Sequence, residues 1–274
     1  MAMVRAVDDA GASERMPLKH AQLVVVCGDL SLDRFGWTAT QWRARQRMIG
    51  AVLHNGAAVN AALAVDELRA VNVGGTATVL RLVGRSRKPL VLVSTIGVLQ
   101  PSSGYSKSKL EAEQLVQRVR AQLALPAVIV RPGAIGPART GESNPIDFRI
   151  LLMREMLKQR ASPHSIEAVP LRMIGVETVA QRAVEALALE RDAVLPVVAE
   201  RAVPWSAVIN HLAHGSADFR RGIDWSEWRR AVADDSLRAL LGAGGLGVAE
   251  PIPEAQDNDD FAMQKMCDWL KENV

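Results

Sequence analysis

The stretch KPLVLVSTIGVLQPSSGYSKSKLEAEQLV, residues 88–116, decides the fold. Residues 90–93 are four consecutive apolar side chains that stop at Ser94 and Thr95. A run without alternation, closed by small polar residues, reads as a strand buried on both faces. Residues 106–123 then mix polar and apolar positions at helical spacing, so a helix is expected there. Strand, short connection and helix together make one half of a βαβ unit.

Working outward, three further apolar runs have the same character: residues 22–26 before CGDL, 51–53 before HNGA, and 127–130 before RPGAIG. Helical stretches at residues 40–47 and 65–84 alternate with them. The pattern predicts an α/β fold, a parallel sheet with helices on both faces. Ligands in such sheets sit at the carboxyl ends of the strands, so the residues just after each run are the ones to read. Past about residue 145 the pattern changes to helices at 148–160 and 176–189 and a Trp-bearing segment. The expected division is a core at 1–145 and a smaller, mostly helical lobe at 146–274.

Composition excludes several classes. With 49% apolar and 23% charged residues the 274-residue chain is ordinary for a globular protein. No apolar run approaches the roughly 18 residues that span a bilayer, and the N-terminus lacks an apolar secretory core, so no membrane and a cytoplasmic location are expected. The formal charge of +3 comes from dispersed Lys and Arg interleaved with 30 acidic residues, which points away from nucleic acid. Cys27 and Cys267 stand alone, so neither a disulfide framework nor a metal site is indicated. Oligomeric state is not readable.

Tyr105, the single tyrosine, precedes Lys109 by four residues, which puts both on one face of the predicted helix. An ammonium beside a phenol favours the phenolate, so the tyrosine pKa is expected below its usual value near 10. Such a phenol supplies the proton that carbonyl reduction requires, with Ser94 or Thr95 holding the oxygen. The competing reading is a solvated surface pair, since one Tyr-x-x-x-Lys occurs by chance in many chains.

The ordered series VVVCGDL (24–30), RFGW (34–37), VLHNGAAVN (52–60), ELRAVNVGGT (67–76), KPLVLVSTIGV (88–98), GYSKSKLEAEQLV (104–116), VIVRPGAIG (128–136) and TGESNPIDF (140–148) resembles the thioester reductase domains of the extended short-chain dehydrogenase class. The later VETVAQRAV (176–184) and VPWSAVINHL (203–212) are similar to that family's substrate lobe. The resemblance implies a Rossmann-like core and NADPH-dependent reductive release of an acyl thioester from an acyl or peptidyl carrier protein and its phosphopantetheine. Tyr105 would be the acid, Lys109 its tuning cation and ribose ligand, and Thr95 or Ser94 the carbonyl's hydrogen-bond donor. Asp29 would meet the adenine edge, Leu30 would be a further cofactor contact, Asn55, Gly56 and Ala57 would meet the dinucleotide backbone, and Asn72 would support Lys109 through water. Arg131, Pro132 and Gly133 are implied cofactor contacts. Arg5 resembles the basic residue that selects a 2'-phosphate. Each has a plain alternative: a helix cap for Asp29, a turn for Asn55, a helix surface for Asn72, a solvated terminus for Arg5. His54 is expected to pack at the sheet end. Trp205, Trp225 and Trp228 would line an acyl channel or fill the core.

The family opens with a strand, a Gly-x-x-Gly-x-x-Gly turn and a helix whose N–H groups hold the pyrophosphate. No such segment precedes Val4. GAGGLG at 242–247 matches G-x-G-x-x-G in letters, but the helical DDSLRALL precedes it and no helix pattern follows, so it reads as a linker. Losing three charge-assisted bonds of about 1.5–3 kcal/mol each predicts weak NADPH binding, and a redox-inactive module that docks a carrier protein is the alternative function. The runs 22–26 and 51–53 must then pair directly, or something must fill a slot between them.

Overall fold

The structure is a computed structural model that describes residues 1–5, 9–16, 20–60, 62–189 and 192–242. Cys267 and residues 243–247 lie outside the described residues. The chain packs into two units, one of Met1–Ser94, Gly104–Ile129 and Ala186–Val194, the other of Thr95–Ser103, Val130–Glu185 and Leu195–Val274.

The first unit opens with β1 (Ala2–Val4), α1 (Asp9–Arg15) and β2 (Val25–Cys27). Strands β1 and β2 form their own parallel pair, with Ala2 opposite Val25. α2 (Ala39–Met48) follows, its start fixed by a reciprocal cap in which the Thr38 hydroxyl accepts from the Gln41 N–H and the Gln41 side chain accepts from the Thr38 N–H. Then come β3 (Val52–His54) and β4 (Leu90–Val93), parallel, with Val52 opposite Leu90. They belong to a four-stranded sheet ordered as strand Ala193–Val197, β5 (Ala127–Pro132), β4, β3. The runs 22–26 and 51–53 therefore do not pair with each other: β2 pairs with β1 and β3 with β4.

Between β3 and β4 the backbone coils through α3 (Val65–Arg69), a π-helical turn (Ala70–Gly74) and α4 (Gly75–Gly84). Val79, Leu80, Leu82 and Val83 of α4 meet Leu90 and Leu92 of β4, Leu125, Ala127 and Ile129 in one buried cluster. Each of the Val, Leu and Ile side chains stabilises the fold by about 1.5–3 kcal/mol when fully buried. α5 (Gly104–Leu123) adds Val116 to that cluster.

The second unit carries α6 (Phe148–Gln159), most of α7 (Val176–Ala186), α8 (Trp205–Ala213), α9 (Trp225–Arg230) and α10 (Asp235–Gly242), with several two-stranded pairs. Its own core gathers Met153, Met156, Trp205, Ile209, Trp228 and Leu237. Trp228 is fully buried, donates from Nε1 to the Ala161 carbonyl at 3.0 Å and stacks on Trp225. Trp205 and Trp228 thus serve packing. The helical run expected before GAGGLG is helix α10. No helix among the described residues is long and apolar enough to cross a membrane.

Candidate active site

β4 ends at Val93, and α5 starts at Gly104 under a steric constraint. A Cβ on Gly104 would lie 2.1 Å from the Leu63 carbonyl oxygen and 2.8 Å from the Val65 nitrogen, so only glycine lets the helix begin against that backbone. From this start Tyr105 occupies the first turn and Lys109 the second. Lys109 is 2% exposed, and its Nζ donates to the Val93 carbonyl oxygen at 2.8 Å. Ser94, the next residue, is 4% exposed, and its Oγ is buried with no hydrogen-bond partner. An unmet hydroxyl usually costs about 1–3 kcal/mol, so its presence at a strand end marks a place where an acceptor belongs.

A polar network holds this end in place. Asn72, on the π-helical turn, accepts from the Ala58 N–H at 2.7 Å through Oδ1. Its Nδ2 donates to the Ala58 carbonyl at 3.0 Å and to Ser108 Oγ at 2.9 Å. Ser108 Oγ donates onward to the Tyr105 carbonyl at 2.7 Å. Asn72 therefore braces the segment after β3 against the first turn of α5 through Ser108. Thr76 Oγ1 donates to the Asn72 carbonyl at 2.6 Å and lies 3.1 Å from His54 Nε2. With its proton committed to Asn72, that hydroxyl can only accept, so His54 carries its proton on Nε2.

The electrostatics differ from the sequence expectation. Burial pushes the Tyr105 phenol up to about 12, rather than Lys109 pulling it down. Burial also lowers Lys109 to about 8, with buried Glu113 opposing the shift. His54 falls to about 3 through burial and then the Lys109 charge, and stays neutral. The reason is desolvation: withdrawing water disfavours the charged form of each group, the phenolate of Tyr105 and the ammonium of Lys109. At neutral pH the phenol is protonated, and the ammonium one turn along the same helix is largely protonated.

Of the remaining expected residues, Asp29 follows β2 and is held below the usual carboxylate range by hydrogen bonds from Ser31 Oγ and N–H, with Arg5 adding charge at 2.8 Å. Arg5, Asp29, Leu30, Asn55, Gly56 and Ala57 all line one groove of about 730 Å³ in the first unit. Thr95 belongs to the second unit, where its hydroxyl accepts from the Gly97 N–H as the cap of a short 3-10 helix. Arg131, Pro132 and Gly133 also fall in the second unit, with the Gly133 N–H on the Val197 carbonyl. Among the described residues no three His, Cys, Asp or Glu gather as a metal site would require.

Sequence reasoning missed Gly104, Ser108, Thr76 and Glu113. Gly104 was readable as a small residue before a helix, but the carbonyl it must clear comes from 41 positions upstream. Ser108 and Thr76 look like ordinary helix surface, and only the folded contacts give them work.

Residues 2–104 and 97–183 match the NAD-binding family described as male sterility protein. A curated relative, the glycine betaine reductase of Emericella nidulans, is 30% identical over 179 residues, which cover 57% of this chain and 14% of the relative. The chain thus spans about a seventh of that relative's length. Among solved structures, the terminal R domain from the myxalamid PKS-NRPS pathway superposes with a TM-score of 0.80 at 24% identity, covering 99% of this chain and 83% of that one. The thiolation-reductase di-domain of an archaeal non-ribosomal peptide synthetase gives 0.73 at 14% identity, covering 99% and 69%. At these identities the superpositions establish a Rossmann-like fold.

Proposed function

The chain belongs to the male sterility protein family, and we propose from that premise that it is a thioester reductase-type domain, releasing an acyl chain from a carrier protein's phosphopantetheine as an aldehyde or alcohol with NADPH as reductant. One observation carries the reading: an unpartnered, buried Ser94 hydroxyl lies at the strand end to which Lys109 is hydrogen-bonded, with Tyr105 one helical turn away on the same helix. Those residues fit a nicotinamide cofactor and a carbonyl. Ser94 has a donor with no acceptor, and Lys109 has three N–H groups of which one reaches Val93.

When bound, NADPH supplies the hydride that reaches the acyl carbon. Ser94 Oγ donates to the thioester oxygen and fixes its position. The Tyr105 phenol donates its proton to that oxygen as negative charge grows there, and Lys109 stabilises the phenolate left behind. Release of the thiol gives the aldehyde. Asn72, through Ser108, keeps the first turn of α5 in register so that the phenol meets the oxygen. Arg5 would face a 2'-phosphate, and the groove residues Asp29, Leu30 and Asn55–Ala57 would follow the rest of the dinucleotide. The sequence contains no Gly-x-x-Gly-x-x-Gly turn, so residues 1–274 alone hold NADPH weakly in this reading.

The test is NADPH consumption by the purified chain with an acyl-pantetheine thioester. Activity that Tyr105→Phe lowers at least about 100-fold, with unchanged circular dichroism, supports the reading. A fully active Phe variant sinks it. Carrier-protein binding without any NADPH consumption, even with NADPH at millimolar concentration, would instead identify a docking module.

A further inference from the structure

The chain's 30 acidic residues are unevenly placed: residues 34–65 and 68–110 contain neither Asp nor Glu, yet carry four and seven Lys or Arg. The fold brings parts of these two stretches together in the first unit. Gln46 of α2 donates from Nε2 to the Arg81 and Leu82 carbonyls of α4, at 3.4 and 3.1 Å. Lys88, on the turn between α4 and β4, answers with its Nζ, which donates to the Gln46 carbonyl at 2.6 Å and to the Ile49 carbonyl. Arg47 and Arg87 are thus the chain neighbours of a bonded pair. Arg43 lies one turn before Arg47, and Arg85 two residues before Arg87. All four are exposed, and among the described residues none has an acidic partner. Asp33, the last acid before this stretch, is already held by Arg34 at 3.0 Å and Arg81 at 2.5 Å. Like charges gathered without counter-charges repel, and a partner of opposite sign relieves them.

The exposed side of α2 narrows the kind of partner. Thr40, Arg43, Ala44, Arg47 and Met48 are exposed and recur at i, i+3, i+4, i+7 and i+8, which makes one stripe along the helix, while Trp42, Arg45 and Gln46 are half-buried. Trp42 lies under Arg81, whose guanidinium is 5.8 Å from its ring, and Arg45 covers Trp37 at 4.3 Å. Those contacts hold the back of α2 and leave the stripe open. Within the stripe, a small Ala44 and a Met48 that is 81% exposed sit beside two guanidiniums one turn apart. A facing helix lays an apolar side chain over Ala44 and Met48, and its carboxylates take the planar forks of Arg43 and Arg47. A phosphate backbone uses the guanidiniums and leaves Met48 in water, so the apolar half of the stripe favours protein.

We propose that α2 and the turn between α4 and β4 form a docking face for an acidic amphipathic helix of another protein, which sets Asp or Glu one turn apart against Arg43 and Arg47, an apolar residue on Met48, and a further acid against Arg85 and Arg87. A second copy offering the same face would set arginine against arginine. This goes beyond the reductase reading and does not rest on it.

The experiment titrates the full chain into a fluorescein-labelled peptide of about 18 residues, Ala-rich enough to be helical by circular dichroism, with Glu spaced four apart beside a Leu stripe. Saturable anisotropy is expected in the micromolar range, weakening at least about tenfold between about 0.05 and 0.5 M NaCl. A peptide of identical composition with its Glu moved to the side opposite Leu should bind at least about tenfold more weakly. Arg43→Glu with Arg47→Glu, and separately Arg85→Glu with Arg87→Glu, should each weaken the first peptide at least about tenfold, and Met48→Gln about threefold, all with native circular dichroism. These residues are exposed, so the variants fold. Equal binding of the two peptides overturns the proposal, because it reports diffuse charge alone, and so does no saturation at about 0.1 mM chain. Binding of an 18-base-pair DNA duplex or of anionic phosphatidylserine vesicles about tenfold tighter than the peptide overturns it in favour of a polyanion or a membrane surface. A sedimenting dimer that Arg43→Glu with Arg47→Glu disperses overturns it in favour of a second copy.

Discussion

The Nζ of Lys109 donates to the carbonyl oxygen of Val93 at 2.8 Å, which fastens the second turn of α5 to the carboxyl end of β4 through a buried cation. Keeping that ammonium charged without water works against the fold, and the cost depends on pH. Burial brings Lys109 from 10.5 to about 8. The folded value lies below the unfolded one, so the penalty is fully present below about pH 8. It is relieved between about 8 and 10.5, where the unfolded chain keeps a proton the folded chain has released. The gain is on the order of 3 kcal/mol. Tyr105 acts later and oppositely: folded near 12 against 10 unfolded, it costs stability as pH rises through that window. Urea denaturation should show stability rising from pH 8 to 10 in the wild type and flat in Lys109→Met. A flat wild-type profile would refute the assignment.

Ser94→Ala separates stability from activity. The change removes a buried hydroxyl that has no partner, so the urea midpoint should hold or rise. Reduction of an acyl-pantetheine thioester should fall by about 100-fold, because the carbonyl loses a preorganised donor. A destabilised variant with normal turnover would contradict both halves.

Gly104→Ala places a methyl 2.1 Å from the Leu63 carbonyl, and backbone must move to admit it. A loss of about 1–3 kcal/mol is expected from overpacking. Since the displaced turn carries Tyr105, kcat should fall further than folding alone explains, measurable at a temperature where the variant stays folded. A stable, fully active Ala variant would show that the approach is looser than described.

Asn72→Ala removes the partner of the Ala58 N–H and carbonyl and the donor to Ser108 Oγ, whose own proton stays on the Tyr105 carbonyl. A loss of about 1–3 kcal/mol follows. Hydrogen exchange should quicken at Ala58 and across the first turn of α5 together; faster exchange at one site alone would mean that Asn72 does not link them.

The strand β4 and the helix α5 were legible because each carries its own period, a buried run and an amphipathic helix, and the Tyr-Lys spacing rides on the helix. β1 was not legible: three residues give no period, and only β2, more than twenty positions away, defines it. The expected lowering of the Tyr105 pKa failed because proximity in sequence says nothing about water. Lys109 is buried and Tyr105 partly so, and desolvation decides the direction. Thr95 looked equivalent to Ser94 as a one-letter neighbour, yet one side chain caps a 3-10 helix and the other lies unpaired. Alternation along a strand end separates such neighbours only once the strand's last residue is known.

The π-helical turn at Ala70–Gly74 sets the phase of everything before it relative to everything after. A wider turn holds one residue more than an α-turn would, and one residue is about 100° of rotation in an α-helix. Deleting Val71 or Val73 would let the backbone relax into uninterrupted α-helix, a locally easier conformation, while swinging Asn72 away from Ser108 or Thr76 away from His54. Regularity and placement are opposed at this turn: a chain one residue shorter here would make a better helix and lose the contacts that Asn72 and Thr76 make.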